Sequence, residues 1–170
     1  PVGISMCAGE LGKVAIVQGR YADARGFLET SLAHATATGS KVLEEAAYGS
    51  LGVLDYYEGR YAEARVRLEK NEALNDQMGD RGRQGGVSGT LGSVEHAEGR
   101  LAAALERLQR CRAMAMESGD CTGEALACVG LGAVLRDLGR TKEAREVHAH
   151  GLALAREAGN AREEAHALFE

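Results

Sequence analysis

The chain has 170 residues with 25 acidic and 20 basic side chains, which gives a formal net charge of -5. This length is enough for one domain with a sizeable core, and the single proline, the absence of tryptophan and the abundance of Ala, Leu, Glu and Arg favour helices over strands. Because the charge provides no basic field, nucleic acid and acidic membrane surfaces are not expected as partners.

The sequence contains no obvious targeting segment. No apolar run approaches the ~20 residues of a bilayer span, and the N-terminus lacks the order of a signal peptide, so we expect a cytoplasmic protein. The four cysteines form no C-x-x-C pair, which predicts reduced and mostly buried thiols. The chain begins without Met and ends at Phe169-Glu170 within a helical pattern, so we expect a fragment of a longer protein.

A repeat of 40 residues is the main feature of the sequence. Shifting the chain by this period superimposes it on itself without a gap, which predicts four repeats, at about 1–40, 41–80, 81–120 and 121–160, within a single domain over 1–170. Leu-Gly recurs at Leu11-Gly12, Leu51-Gly52, Leu91-Gly92 and Leu131-Gly132, and Gly-Arg recurs at Gly19-Arg20, Gly59-Arg60, Gly99-Arg100 and Gly139-Arg140.

Each repeat is predicted to contain two helices separated by tight turns. Glycines such as Gly39 suit the left-handed position after a helix, and the Ser, Asp or Asn that follows them, such as Ser40, suits the N-cap of the next. The predicted helices span about 3–18, 21–38, 41–58, 61–78, 81–98, 101–118, 121–138 and 141–158, and a last helix starts at 161.

Both helices of each repeat carry an apolar stripe. We expect the stripes to form the core and the glycine beside each leucine to let a neighbouring helix backbone approach closely. The stripe of the first helices consists of Cys7, Leu11, Val14, Ala47, Leu51, Leu54, Val87, Leu91, Val94, Ala127, Leu131 and Val134.

The pattern resembles the tetratricopeptide repeat (TPR) family, whose 34-residue unit is here lengthened by six residues. Leu51, Gly52, Gly59, Tyr61 and Ala64 match the family motif. The resemblance implies an all-α, right-handed superhelical solenoid of four helix-turn-helix repeats, with the start of a further helix at 161–170 and a concave groove. The longer repeat is similar to those of cell-polarity adaptors and of sensor regions in bacterial transcription regulators and signalling ATPases.

Some first-helix positions are predicted to line this groove. Positions two before and two, five and six after the leucine of Leu-Gly lie roughly opposite that leucine, and the first of these is Gly9, Gly49, Gly89 or Val129. The alternative is that these positions are half-buried against the adjacent repeat and bind nothing. The predicted peptide-binding residues are Lys13, Ile16, Val17, Val53, Tyr56, Tyr57, Ser93, His96 and Arg136.

The first helix of repeat three is unusually rich in glycine, with five glycines between Gly82 and Gly92. Each costs roughly 0.5–1 kcal/mol relative to Ala inside a helix. The helix is therefore predicted to be a hinge or a place of close ligand approach, or else a helix that only packing between its neighbours maintains.

Patterns that indicate catalysis are missing. Gly12-Lys13 lies inside a predicted helix and lacks the remainder of a phosphate loop, and no His or Cys pair shows the usual spacing of metal ligands. No set of nucleophile, base and orienting group is evident either. We therefore expect no catalytic, metal or cofactor site and no enzymatic activity.

Together these observations predict a scaffold or adaptor for protein binding, with a role in signalling. The expected partner is a protein or peptide, presented as an amphipathic helix or an extended apolar segment. The alternative is an intramolecular sensor or regulatory segment of a larger bacterial transcription regulator or signalling ATPase, whose groove receives a small effector or another domain. Truncated termini are also expected to allow end-to-end self-association.

Overall fold

The computed structural model describes the backbone of residues 2–79, 81–157 and 159, and the same side chains except those of 81–85. These residues form helices and turns without a strand, and each helix bound lies within one residue of its prediction. The predicted helix starting at 161 lies outside the described residues. The helices are α1 (Val2–Val17), α2 (Tyr21–Thr38), α3 (Lys41–Tyr57), α4 (Tyr61–Met78), α5 (Arg81–Ala97), α6 (Leu101–Ser118), α7 (Cys121–Asp137) and α8 (Thr141–Glu157).

The chain divides into two compact units, one over Pro1–Arg81 and the other over Gly82–Glu170. The first contains the helical pairs α1–α2 and α3–α4, and the second contains α5–α6 and α7–α8. The single domain expected from the repeat remains a prediction.

Glycine turns separate the helices as predicted. Gly39 adopts φ 64°, which L side chains rarely tolerate, and the backbone N–H groups of Gly39 and Ser40 donate to Thr36 and Ala35 at the end of α2. The predicted N-cap is confirmed at Asp120, which accepts a hydrogen bond from the Gly123 N–H at 2.9 Å. Ser40 also occupies the predicted N-cap position, of α3, but its side chain makes no capping hydrogen bond.

Within a repeat, a leucine of the second helix packs on the glycine of Leu-Gly. A Cβ atom added to Gly52 would lie 2.6 Å from Leu68 Cγ, and one added to Gly92 would lie 2.7 Å from Leu108 Cγ. The expected close approach is therefore confirmed, although a leucine side chain rather than helix backbone comes nearest. In repeat four the ring of His148 occupies the space over Gly132.

The leucine of Leu-Gly faces a different helix from its glycine neighbour. Leu51 and Leu54 of α3 are buried in one cluster with Ala24 and Leu28 of α2, the second helix of the preceding repeat. In the second unit, Leu131 and Val134 of α7 form the corresponding cluster with Ala104 and Leu108 of α6. Adjacent residues of one dipeptide thus join the helices within a repeat and between repeats.

The stripe of α1 is an exception to the predicted core. Leu11 is 51% exposed and Val14 50% exposed, and Cys7 is exposed as well. The prediction was wrong for α1 because the corresponding stripes of α3 and α7 pack on the second helix of the preceding repeat, and no described helix precedes α1. The nine stripe residues of α3, α5 and α7 are buried, as predicted.

The cysteines also differ from expectation, since only two of the four are buried. Cys111 and Cys128 lie in the interior, whereas Cys7 and Cys121 are exposed, and none of the four forms a disulfide. Cys7 is exposed because it belongs to the uncovered stripe of α1, and Cys121 because it is the first residue of α7.

The two helical pairs of the first unit also contain buried polar contacts. The Ser5 hydroxyl donates to the Ser31 carbonyl, and the Ser31 hydroxyl donates to the Ser5 carbonyl, both at 2.8 Å. In the next repeat the Asn71 amide donates to the Glu45 carbonyl at 2.7 Å and to its carboxylate at 2.9 Å. In both pairs the two residues are 26 positions apart in the sequence. Residues with this separation therefore lie opposite each other on the two helices of a repeat.

The glycine-rich helix α5 is continuous from Arg81 to Ala97. Gly89 and Gly92 face Cys111 and Leu108 of α6, whereas Gly86 faces open space. Packing accounts for two of these glycines, and the hinge remains a prediction.

Two glycine substitutions test the leucine-on-glycine contact. Gly52→Ala is expected to lower the free energy of unfolding by about 1–3 kcal/mol, because the new methyl group would overpack the buried Leu68. Gly26→Ala, inside α2 where a Cβ meets nothing within 4 Å, is expected to raise it by about 0.5–1 kcal/mol. Urea denaturation of both variants measures these changes, and equal stabilisation by both would contradict the contact.

Candidate functional site

All nine predicted binding residues lie on the first helices of their repeats, and none is buried. Six belong to the first unit and three, Ser93, His96 and Arg136, to the second. Lys13, Val17, Tyr57 and Arg136 are exposed, and the other five are half-buried. The Lys13 ammonium pairs with Glu10 on the same helix, at 2.8 Å.

The glycines two positions before each leucine do not line an open face, contrary to expectation. A Cβ at Gly49 would lie 2.7 Å from Asn71 Nδ2, and one at Gly89 would lie 3.4 Å from Cys111 Sγ. These glycines therefore face the second helix of their own repeat. The expectation was wrong because it placed that helix on the leucine side, whereas Leu51 and Leu131 pack on the second helix of the preceding repeat.

Four tyrosines gather where α3 ends and where α2 and α4 begin. Tyr57 stacks on Tyr21 with the ring planes 7° apart and the centroids 6.3 Å apart. Tyr56 lies tilted against Tyr57 at 5.7 Å and against Tyr61 at 5.9 Å. The sequence predicted Tyr56 and Tyr57 as groove residues and Tyr61 as part of the family motif. The structure joins all four into one tyrosine cluster.

A buried ionic network anchors the same end of α3. Asp55 Oδ1 lies 2.6 Å from the Arg25 guanidinium and 2.7 Å from that of Arg60, and Asp55 Oδ2 lies 2.8 Å from Arg67 Nε. Glu58 also pairs with Arg25 and Arg60. Burial raises the pKa of Asp55, and the positive charges of Arg67 and Arg25 oppose that rise.

This network was not predicted from the sequence, although the repeat contains a signal for it. Repeats two and three carry Asp55 and Glu95 at a position where the flanking repeats carry the apolar Ala15 and Leu135, and all four side chains are buried. An acidic residue on a buried position of a helix needs a cation nearby.

In the second unit, the predicted residues His96 and Arg136 meet at Asp137. His96 Nε2 and Asp137 Oδ2 lie 2.7 Å apart, and Arg136 Nε donates to Asp137 Oδ1 at 3.2 Å. Hydrogen bonds from His96 and Arg136 lower the pKa of Asp137. The Ser93 hydroxyl donates to the Gly89 carbonyl of its own helix at 3.3 Å. The Asp137 carboxylate, which contacts His96 of α5 and Arg136 of α7, therefore links these two helices.

A model of the tetratricopeptide repeat matches residues 86–170, which is half of the chain. The chain belongs to the tetratricopeptide repeat family. Repeats of this family generally mediate protein–protein interaction, and its members are typically scaffold modules without enzymatic activity. A search among curated protein sequences found no match.

Solved structures share the TPR fold. Aspartyl phosphate phosphatase F from Bacillus subtilis superposes with a TM-score of 0.85 at 12% identity, over 99% of this chain and 44% of that one. The present chain therefore spans less than half of the length of the phosphatase. A protein from Podospora anserina, described as a kinesin light chain with nearly identical TPR-like repeats, gives a TM-score of 0.65 at 18% identity. That match covers 92% of this chain and 77% of the other. At these identities the likeness concerns the fold.

Among the described helices, none combines the length and apolar character that crossing a bilayer requires.

Metal-ligating side chains meet in one place within the described residues. Glu124, Cys128 and His150 bring a carboxylate oxygen, a thiol sulfur and an imidazole nitrogen within 4.8 Å of one another. Burial raises the pKa of Cys128 to about 11. The sequence predicted no metal site, because the usual ligand spacings lie within a short stretch of chain and this cluster joins two helices.

Substitution of His96 tests its effect on the pKa of the Asp137 carboxyl group. His96→Ala is expected to raise the pKa of Asp137 towards its ordinary value, because the variant loses the hydrogen bond that contributes most to the lowering. The lowered pKa stabilises the native state above the ordinary pKa of Asp, and this stabilisation is lost as the pH falls through the lowered value. Carboxyl-carbon NMR titration measures the shift. Glu143, whose pKa Arg140 lowers in the same unit, serves as a control that should not change.

Proposed function

We propose that this chain is a protein-binding scaffold module, and that its first-helix faces bind a peptide segment presented as a helix or an extended apolar strand. The proposed contact residues are Lys13, Ile16, Val17, Val53, Tyr56 and Tyr57 in the first unit and Ser93, His96 and Arg136 in the second. The module is proposed to act in signalling as a non-enzymatic cytoplasmic adaptor. The family's general role in protein–protein interaction supports this assignment.

The observation that carries the proposal is the exposed ring of Tyr57, which packs against two other tyrosine rings. This side chain is 46% exposed although it stacks on Tyr21 and touches Tyr56. An aromatic ring that is already fixed loses little conformational entropy when a partner covers it, and Tyr is among the residues that dominate binding energy at interfaces. The Tyr57 ring therefore has the properties of an anchor.

The other first-helix residues of the proposed surface in the first unit support an apolar ligand with polar edges. Val17 on α1 is exposed, and Val53 on α3 is half-buried, so both leave aliphatic surface uncovered. Lys13 and Glu10 add a solvated ion pair on α1. An amphipathic segment can bury its apolar side chains on such a surface and keep its charged ones in water.

The test compares two exposed apolar residues of the first unit. A peptide selected on the parent protein from a displayed library is titrated, by fluorescence polarisation, against Tyr57→Ala and Val66→Ala. Val66 is 53% exposed on α4, a second helix, and should be neutral. Tyr57→Ala is expected to weaken binding about thirtyfold, which corresponds to roughly 2 kcal/mol.

Circular dichroism of both variants establishes that they are folded. If Val66→Ala weakens binding as much as Tyr57→Ala, or if neither variant does, the first-helix face is not the binding surface.

The second candidate is an intramolecular regulatory or sensor segment of a larger bacterial transcription regulator or signalling ATPase. The fold likeness to a bacterial phosphatase of which this chain spans 44% favours it, because it shows a similar helical array as part of a longer chain. Here the partner of the Tyr57 face would be another domain of the same protein or a small effector. If isolated domains of the longer protein bind this chain in trans, and Tyr57→Ala abolishes that binding, the chain is a regulatory segment and not an adaptor.

We also propose that the chain self-associates through the uncovered stripe of α1. Leu11 and Val14 occupy the positions that Leu51 and Leu54 bury against a second helix. A second copy that covers this stripe would remove comparable apolar surface from water.

Leu11→Lys tests the self-association. A charge at the centre of the stripe is expected to raise the dissociation constant of the dimer at least about tenfold, because it would be buried at the contact. Sedimentation equilibrium over a range of concentrations measures this constant. Met116→Lys, at an exposed position of α6, is the control. If the unsubstituted chain is monomeric at all concentrations, the proposal is wrong.

A further inference from the structure

Repeat four contains a cluster of three side chains that the proposed binding function does not use. Glu124 and Cys128 are four residues apart on α7 and therefore share one face of that helix, and His150 lies opposite them on α8. Glu124 and Cys128 are buried, whereas His150 is exposed. His150 Nε2 lies 2.7 Å from Glu124 Oε1.

We propose that Glu124, Cys128 and His150 form a binding site for a divalent transition-metal ion of the zinc class, which links α7 to α8. A thiolate, an imidazole and a carboxylate are the three side-chain groups that bind Zn²⁺ in proteins. The hard cations Ca²⁺ and Mg²⁺ prefer oxygen ligands and do not suit a site with sulfur and nitrogen.

The separations of the ligand atoms fit this ion after small side-chain rotations. With Zn–N and Zn–O bonds of about 2.0–2.1 Å and a Zn–S bond of about 2.3 Å, tetrahedral ligand atoms lie roughly 3.3–3.6 Å apart. The three atoms are now within 4.8 Å, and the His150–Glu124 pair must open by about half an ångström to admit the ion. The exposed His150 ring has room to move outward.

The backbone is also shaped for this contact. A Cβ atom added to Gly151 would lie 2.8 Å from Cys128 Cβ and 3.4 Å from the Ala125 carbonyl oxygen. Glycine at position 151 therefore brings α8 against α7 beside Cys128, so that His150 can reach the thiol. This approach occurs in the repeat in which His148 replaces the leucine that packs on the Leu-Gly glycine.

Arg112 of α6 is the charged neighbour that the site must accommodate. Its Nε lies 3.3 Å from Glu124 Oε1, so it orients the carboxylate from the side of α6. Hydrogen bonds of this kind to a ligating carboxylate are common around metal sites. Its positive charge disfavours a nearby cation, whereas two anionic ligands, the Glu124 carboxylate and the Cys128 thiolate, offset it. The ion needs that thiolate, so the Cys128 proton is released to solvent on binding.

Cobalt provides a direct readout, since Co²⁺ accepts the same ligands as Zn²⁺ and shows sulfur-to-metal charge transfer in the near ultraviolet. Titrating the metal-free chain with Co²⁺ under reducing conditions is expected to produce this band, and added Zn²⁺ to abolish it by displacement. Cys128→Ser should lose the band. Cys121→Ser, which removes an exposed thiol from the same helix, should keep it.

His150→Ala gives a second route, because this exposed side chain can be removed with little risk to the fold. Its affinity for Zn²⁺ should fall at least about tenfold, as measured by competition with a chelator. Zn²⁺ should also raise the melting temperature of the parent and of Cys121→Ser more than that of Cys128→Ser. The absence of a thiolate band in the parent, or an equal band in Cys128→Ser, would overturn the proposal and leave an ordinary His–Glu pair. Neither result bears on peptide binding at Tyr57.

Discussion

The packing of a second-helix leucine on a first-helix glycine sets the geometry of the array. Leu28 fills the space over Gly12 and at the same time joins the cluster that buries Leu51 of the next repeat. One side chain thus fixes the spacing within a repeat and the contact between repeats. Because protein interiors are close-packed, neither contact can change without disturbing the other. Within each unit the two repeats consequently behave as coupled neighbours.

The tyrosine cluster depends on this rigidity. Tyr57 is at the last position of α3, where the chain enters the turn to α4, and its neighbour Asp55 is held by guanidinium groups from both α2 and α4. A buried carboxylate with cationic partners on two helices is costly to disturb, so it fixes the end of α3 in position. A binding surface on a rigid element of this kind needs little rearrangement when a partner arrives.

The 40-residue period predicted the helices, the turns and the family, because local propensities and the hydrophobic pattern agree at every turn. It did not show which helix each stripe faces. Leu11 and Leu51 are equivalent in sequence, but among the described helices only Leu51 finds a second helix to pack against. Nor did it show the pairs that cross between helices. The contact of Glu124 with His150 spans 26 residues, the same separation that joins Ser5 to Ser31, and recognising it requires the register of two packed helices.

The buried polar pairs influence which helices pair with each other when this repetitive chain folds. Helices of similar pattern can pair with the wrong partner during folding, and apolar stripes alone discriminate poorly between neighbours. Here the two pairs of the first unit carry different polar contacts, a hydroxyl pair at Ser5 and Ser31 and an amide with a carboxylate at Asn71 and Glu45. Exchanging partners would place Glu45 opposite Ser31 and deprive its carboxylate of the Asn71 amide. These small polar differences therefore destabilise incorrect pairings between nearly equivalent helices.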